Sequence, residues 1–568
     1  VLDGLRELVR RELVRPTRVS SMRDEEEFSF WHVLVRDVAY QQIPRAARAA
    51  KHVRAAEWIE GEAEDRVSDH AEILVHHYGQ ALELGRAAGE DPSPDLEPRL
   101  ARFLILSGDR AMRLDMAAAE ALYRRALAVV AEATTRGGVL AKLGDALQEQ
   151  ARLLEAEEVY EEALSILEDA GDERATALAK LGLARALWRH GRTAAARELA
   201  YAAVEALERD GPGPDLVAAY ERAASADALG GRTGDAIVWA QKGIELAEQL
   251  GVENVVRHLQ MRGLSRLDLG DRGGLDDMRD ALELSLRLGL GIETGTSYLN
   301  YSEALAPHAP LADSFALLES SLDFSRRRGL KHHEMWTRGA MLWQLYETGR
   351  WDDALREADE LIRWDAEQGG TQIEVGARVS TVSIHAQRGA LDEARRSVAV
   401  FLPRAREIGD PQTLAPALNE SAFVHASSGD FEQALVLTIE FEAATSGKPN
   451  WRLPWLLTAL RIAVAADALE LGDKLYNGCI EATPGLAARV AFLTGRAILA
   501  EAHGQREEAA ALYREAVTGW TEWGSVVQEG YSLLGLGRCA QDDESLRAGL
   551  VIFERLRAVP FTTIAHAA

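Results

Sequence analysis

Apolar residues along most of this chain recur three and four positions apart, the spacing of one helix face. The helical stretches also resemble one another. AAAEALYRRALAVV (117–130), EAEEVYEEALSIL (155–167), TAAARELAYAAVEAL (193–207), TGDAIVWAQKGIELA (233–247), WDDALREADELI (351–362), LDEARRSVAVFL (391–402), FEQALVLTIEFEA (431–443) and REEAAALYREAV (506–517) each place one small residue in register. These are Ala119, Ala156, Ala196, Ala236, Ala354, Ala394, Ala434 and Ala509, with Gly274 and Ser314 as weaker members between Ala236 and Ala354. As far as Ala434 the members keep a beat of roughly forty positions. The next step, to Ala509, is nearly twice as long and leaves room for one degraded unit around positions 460–485.

A second small residue stands twelve positions before many of these: Gly144, Ala184, Ala224, Ala422 and Ala497. Between the two columns comes a turn with glycine, as in ETGR (347–350), QRGA (387–390), SSGD (427–430) and AHGQ (502–505). Glycine supplies the left-handed stop of the first helix, and a polar pair opens the second. Small residues on both helices let the axes approach closely in an antiparallel hairpin. One hairpin cannot bury its apolar face, whereas a stack of about ten can. Two segments break the rhythm: the proline-rich DPSPDLEP (91–98), and TSGKPNWRLP (445–454) just before the missing beat. The second predicts either a change of superhelical path or an inserted repeat.

The front of the chain differs. LDGLRELVRRELVRP (2–16) reads as an amphipathic helix, FSFWHVLV (28–35) as a strand running into a helix, and RAARAAKHVRAAEWIE (45–60) as another helix.

Small residue, a gap of twelve, alanine, then tyrosine four on and alanine seven on (Ala119-Tyr123-Ala126, Ala156-Tyr160-Ala163, Ala509-Tyr513-Ala516) resembles the tetratricopeptide repeat (TPR). The beat here is longer than the common form of that repeat. With glycine-ended second helices at LGV (250–252), RGL (328–330), EIGD (407–410) and EWGS (522–525), it is similar to the repeats of MalT-like regulators over roughly positions 100–540. Ahead of the array, Phe28, Phe30, His32, Leu34, Arg36, Asp37 and Tyr40 resemble the end of the winged-helix subdomain of STAND signalling ATPases. Actinobacterial proteins that join a nucleotidyl cyclase, an ATPase and a repeat array are the nearest likeness. These resemblances imply an all-α fold: a right-handed α-solenoid of about ten TPR-like hairpins preceded by a partial winged-helix, small α/β segment. The implied domains are 1–60 partial winged helix, 61–98 helical bridge, 99–445 array, 446–543 array after the break, and 544–568 capping helix and tail.

In such ATPases the winged-helix histidine reaches the β-phosphate of bound ADP, so the resemblance makes His32 a nucleotide-state sensor braced by Arg36. The other reading is that His32 caps a local element and satisfies its own nitrogens. No nucleotide-binding domain is in the sequence, so ATP or ADP belongs to a longer parent and no cofactor is expected in this chain. The chain starts at Val1, its first methionine is Met22, and it reads as a piece cut from something longer.

Composition narrows the function. The net charge is −26, and the stretch 1–60 holds 11 Lys+Arg against 10 Asp+Glu, which leaves −27 on the remainder. So acidic an array repels phosphate backbones and anionic membranes, which argues against nucleic-acid or lipid partners. Two cysteines, Cys479 and Cys539, imply no disulfide framework and fit a reducing cytoplasm. The single Gly-Lys, Gly447-Lys448, is followed by Pro449 and lacks the earlier glycine of a phosphate loop. No serine elbow, zinc-protease helix or paired-cysteine motif occurs, so no catalytic residues are assigned and no enzyme is expected here. His76-His77 and His332-His333 are adjacent pairs whose side chains diverge by about 100° on a helix, poor joint metal ligands, and no metal is assigned.

The candidate binding residues are aromatic. Trp336 and Trp343 lie seven apart on one helix face with His332 one turn earlier, Trp364 follows in the same hairpin, and Trp451 and Trp455 sit four apart beside the rhythm break. They either anchor a protein or peptide on the concave face or fill the core between hairpins. The expected function is a sensor and protein-interaction module of a multidomain signalling ATPase, binding a partner or effector and gating upstream domains. The alternative is a free-standing, peptide-sensing TPR-type transcriptional regulator. Exposed end hairpins also leave an oligomer open.

Overall fold

The structure is a computed structural model and describes residues 2–17, 26–112, 115–150, 152–189, 192–367, 372–409, 411–480, 482, 485–559 and 561. The chain divides into two compact units, one of residues 1–150 with 154–179 and one of 151–153 with 180–568.

In unit 1, helix α1 (Leu2–Arg10) leads into strand β1 (Val14–Pro16), which pairs antiparallel with β2 (Phe28–Phe30) in the register Val14↔Phe30. Then come α2 (Val33–Gln41), α3 (Arg45–Ala63), a 3₁₀ stretch, α4 (Ala71–Ala87), α5 (Leu96–Ala111), α6 (Met116–Leu127), α7 (Ala133–Glu149) and α8 (Leu153–Ala170), with α9 (Glu173–Arg189) crossing the boundary. The switch from alternation to helical spacing at FSFWHVLV is thus a strand followed by a capped helix.

Unit 2 continues with α10 (Thr193–Asp210), α11 (Pro214–Leu229), α12 (Thr233–Leu250), α13 (Val256–Asp268), α14 (Gly274–Arg287), α15 (Gly291–Leu305), α16 (Leu311–Arg328), α17 (Lys331–Glu347), α18 (Trp351–Glu367), α19 (Gln372–Gln387), α20 (Leu391–Ile408), α21 (Pro411–Ser427) and α22 (Phe431–Ala444). Short helix α23 (Pro449–Arg452) and a 3₁₀ turn precede α24 (Leu456–Ala465), α25 (Leu469–Asn477), α26 (Leu486–Ala502), α27 (Arg506–Trp523), α28 (Val526–Ala540) and α29 (Asp543–Arg555). The fold is an all-α solenoid of helical hairpins.

The small-residue columns are the hairpin seams. The eight column alanines from Ala119 to Ala509 are all buried. A Cβ on Gly144 would lie 2.7 Å from the Tyr160 ring, so the tyrosine four positions past the column alanine lies against the glycine of the preceding helix. The weaker members use other means to the same end. A Cβ on Gly274 would meet the Gly263 carbonyl at 2.3 Å, so these two helices touch backbone to backbone. Ser314 and Ser302 are buried, hydrogen-bond to each other at 2.9 Å, and so replace an alanine pair by a satisfied polar one. In the skipped beat, buried Gly472 on α25 takes the register position. Turn and end glycines adopt the expected left-handed conformation, for example Gly349 (φ 75) and Gly251 (φ 69).

The repeat pattern predicts helical pairs that each lean on the next. Unit 2 adds contacts between hairpins far apart in sequence. After the break, the end of the chain lies against α15, α17, α19 and α21. The Trp523 indole N–H donates to the Ala306 carbonyl (2.8 Å), Tyr531 donates to Gln387 Oε1 (2.8 Å), and the Phe561 ring meets Phe423 at 5.3 Å. The Asn450 amide donates to the Asp268 carbonyl (2.7 Å), and the Ala487 N–H to that of Pro307 (3.0 Å). Hence the inner helices in this stretch are covered by the chain's own C-terminal hairpins.

Candidate functional site: a tryptophan-walled cavity

Where the returning hairpins meet the inner helices, the surfaces leave a cavity of about 670 Å³ within unit 2. That volume falls in the range of small-molecule sites. Its walls come from α13, α15, α17, α19 and α21 on one side and from residues 450–457, α26, α27 and the start of α28 on the other.

Six tryptophans line it: Trp336, Trp343, Trp451, Trp455, Trp520 and Trp523. Four of them are the candidates that helical spacing and the rhythm break singled out. Trp336 and Trp343 share a face of α17, and the break carries Trp451 and Trp455 to the opposite wall. Trp343 and Trp523 approach to 5.8 Å between ring centres, and Trp520 and Trp523 to 5.5 Å. The N–H groups of Trp520 and Trp523 are committed to Thr494 and Ala306 (2.9 and 2.8 Å), which fixes those two rings. Trp364 is elsewhere: it packs against the core from α18, a helix that does not line the cavity. The side chain of His332 lies outside the described residues.

Helical spacing gave no sign of the carboxylates. Asp268, Glu303 and Glu347 line the same cavity, with His308 as the other titratable group and no lysine or arginine among the described residues of the wall. Burial pushes Glu303 up to about 7 with no opposing partner, and its side chain stands open to the cavity. Glu347 is likewise pushed to about 7 by burial, against the opposing pull of the Ser525 hydroxyl, which donates to it, and of Arg461. Arg461 lies behind the wall, stacked on Tyr531 at 4.1 Å and bonded to Gln528 (2.8 Å). Burial also raises Asp268. The Gln344 amide N–H donates to Ser314 (2.6 Å), while its buried Oε1, on a residue of the cavity wall, has no partner among the described residues. A single acidic residue on a helix carries no sequence mark of facing such a space. Trp520 and Trp523, three apart on α27, did carry one.

In unit 1, His32 is the N-cap of α2: its Nδ1 accepts the Leu34 N–H at 3.2 Å, and the ring is exposed. Arg36 pairs with neighbouring Asp37 (2.7 Å) on the surface. His76 and His77 gain a third member that adjacency could not show, His52 from α3. Their ligand-capable nitrogens all fall within 4.8 Å, the one such trio of metal-capable groups among the described residues. Hydrogen bonds already join it: His52 Nδ1 to His77 Nδ1 and His52 Nε2 to the Tyr40 hydroxyl, both 2.8 Å. The Arg48 guanidinium lies 4.9 Å from the Tyr40 ring centre, and its charge works against a further cation there. Burial, then the neighbouring histidines, lower His77 to about 4.

No known protein family matches the chain, and no curated protein matches it. Solved structures do resemble it. The APC/C hetero-tetramer Cut9–Hcn1 is 13% identical with a TM-score of 0.45, over 82% of this chain and 86% of that one. A Pyrococcus horikoshii STAND protein with a tetratricopeptide repeat sensor, PH0952, is 14% identical with a TM-score of 0.44, over 71% of this chain and 59% of that one. The apo form of RapI is 14% identical with a TM-score of 0.41, over 49% of this chain and 99% of that one.

Proposed function

We propose that this chain is the sensor module of a multidomain signal-transduction ATPase, in which an effector bound by unit 2 gates domains upstream. The observation that carries this reading is the cavity: about 670 Å³, walled by tryptophans, and closed by hairpins that return from far along the chain. A ligand there touches both walls. It therefore binds the closed arrangement better than an open one, and that difference in affinity is the source of any coupling.

The N-terminal segment supplies the link to the ATPase. Its helix, short hairpin and capped helix suit the end of a winged-helix subdomain, as the MalT-like and actinobacterial resemblance implies. Trp31, Val33, Leu34 and Val38 are exposed along β2–α2, an apolar face suited to a neighbouring nucleotide-binding domain. His32 Nδ1 accepts the capping bond, which leaves Nε2 as the nitrogen that would donate to an anionic phosphate. The array itself does no chemistry and acts through a partner or effector in the cytoplasm.

The test is ATP turnover by the intact parent protein with wild-type sequence and with Glu347→Ala, which removes the acceptor of the Ser525 bond across the seam. A severalfold change in basal rate, with the ATPase's own residues untouched, is the expected result. Equal rates at every effector concentration would remove the gating claim.

A further inference from the structure

The charged groups on the cavity wall are unbalanced, and the imbalance is of one kind. Acidic groups stand there without basic ones among the described residues. Asp268, Glu303 and Glu347 supply carboxyl oxygens, and the buried Gln344 Oε1 has no donor among the described residues. The Trp520 and Trp523 N–H groups and the Gln344 amide are spent within the protein, and no lysine or arginine is among the described residues of the wall. The positive charge nearest Glu347, Arg461, is held behind the wall on Tyr531 and Gln528 and does not line the space. Around these acceptors stand six indole rings, whose π-faces attract cations and whose bodies take apolar groups.

From this we infer that the cavity takes an organic cation: a protonated alkyl- or arylamine whose N–H groups meet Glu303 and Gln344 and whose apolar body lies among the tryptophans. An anion is repelled by the three carboxyl groups. A neutral apolar molecule leaves Gln344 Oε1 unpaired and gains nothing from Glu303. A quaternary ammonium satisfies the rings but offers no N–H to the orphan acceptor. Binding an amine favours the ionised form of carboxyls that burial keeps partly protonated near neutral pH, so it releases protons to the buffer. The groups that share this equilibrium are Asp268, His308, Glu303 and Glu347 on the wall and Arg461 behind it.

The inference rests on the cavity being the effector site, and one set of probes separates the two claims. 4-Phenylbutylamine, 4-phenylbutanol and 4-phenylbutyrate have nearly one shape and carry a cation, no charge and an anion. Binding to the full chain is followed by intrinsic tryptophan fluorescence and by calorimetry at pH 7 in buffers of different ionisation enthalpy. The amine is expected to bind roughly tenfold or more tighter than the alcohol, with proton release, and the acid not at all. Glu303→Gln should bring the amine down to the affinity of the alcohol and leave the alcohol unchanged. Among the described residues Glu303 has no hydrogen-bond or ion-pair partner, so this change spares the fold, which a thermal melt checks. Equal binding of amine and alcohol, or a preference that survives Glu303→Gln, would overturn the cation while leaving the cavity as a site. If none of the three probes perturbs the tryptophans up to its solubility limit, the effector site itself falls.

Discussion

Two polar interiors in this protein solve opposite problems. In unit 1, His52, His76 and His77 come together with Tyr40, and His52 spends both nitrogens, one on His77 and one on the tyrosine hydroxyl. In unit 2, Glu303 and Glu347 lie in or beside a space that the protein does not fill, and Glu303 has no partner among the described residues. Burial drives His52 and His77 toward neutral imidazole, and Glu303 and Glu347 toward neutral carboxylic acid. The difference is what remains unsatisfied. In the first set the buried His52 is closed by its bonds to His77 and Tyr40, and the second waits for something from outside. On the same wall the buried Gln344 Oε1 has no partner among the described residues, and a buried polar group left open is costly unless a ligand completes it, which is why the second interior reads as a site.

The contrast breaks most completely if the seam is opened. Trp523→Ala removes a buried ring and the bond to Ala306. Chemical unfolding of the unit 2 transition should show a loss of about 3–5 kcal/mol. The Glu347 carboxyl should return toward an ordinary pKa as water enters, measured by carboxyl-labelled NMR.

Glu347→Gln keeps the acceptor for Ser525 and removes the charge. The sign follows from the raised pKa: protonated Glu347 favours the fold below its unfolded value near 4.5, and that support is lost as pH rises through about 7. At pH 8 the variant should therefore be more stable by on the order of 3 kcal/mol, and at pH 4 nearly unchanged. The neighbouring Arg461, Ser525, Glu420 and Tyr346 are the same in both proteins, so the difference isolates one group. Equal urea midpoints for both proteins at pH 8 would mean that Glu347 is already satisfied.

His77 titrates in the other direction. Its pKa is lowered in the fold, so its neutral form supports unit 1 above about 6.5, and that support is lost as pH falls toward 4. The trio is partly exposed, so the loss should be about 1–2 kcal/mol. Imidazole NMR should find His77 uncharged at pH 5.5 beside Arg48, His52 and His76, and an ordinary titration there would put the ring in water.

The smallest effect belongs to Arg36→Ala. Its pair with Asp37 is exposed on both sides, so stability should change by less than about 0.5 kcal/mol in a thermal melt. Any larger response of turnover in the proposed parent ATPase would then report function rather than folding.

Much of the scaffold was legible in the residues because its physics is local and repeated. Ala119, Ala156 and their successors mark where two helix axes come closest, and that demand recurs at every hairpin. Even Gly274 and Ser314, poor matches as letters, met it by backbone contact and by a paired hydroxyl. Four of the tryptophans that line the cavity were legible through helical spacing and position at the break. Trp364 had the same kind of signal and went to the core instead, because the identity of a ring does not state which side of a hairpin another hairpin will cover. Glu303 was illegible for the complementary reason: an acidic residue on a helix normally faces water.

The sequence by itself determined the hairpin, its length and its neighbours, since each depends on residues within about forty positions and is written again in the next repeat. The tertiary structure alone decided that residues 450–561 lie back across the inner helices and that the resulting space is lined with indoles and carboxyl groups. That outcome depends on small rotations summed over several hairpins and on one interrupted beat. No single residue records such a sum.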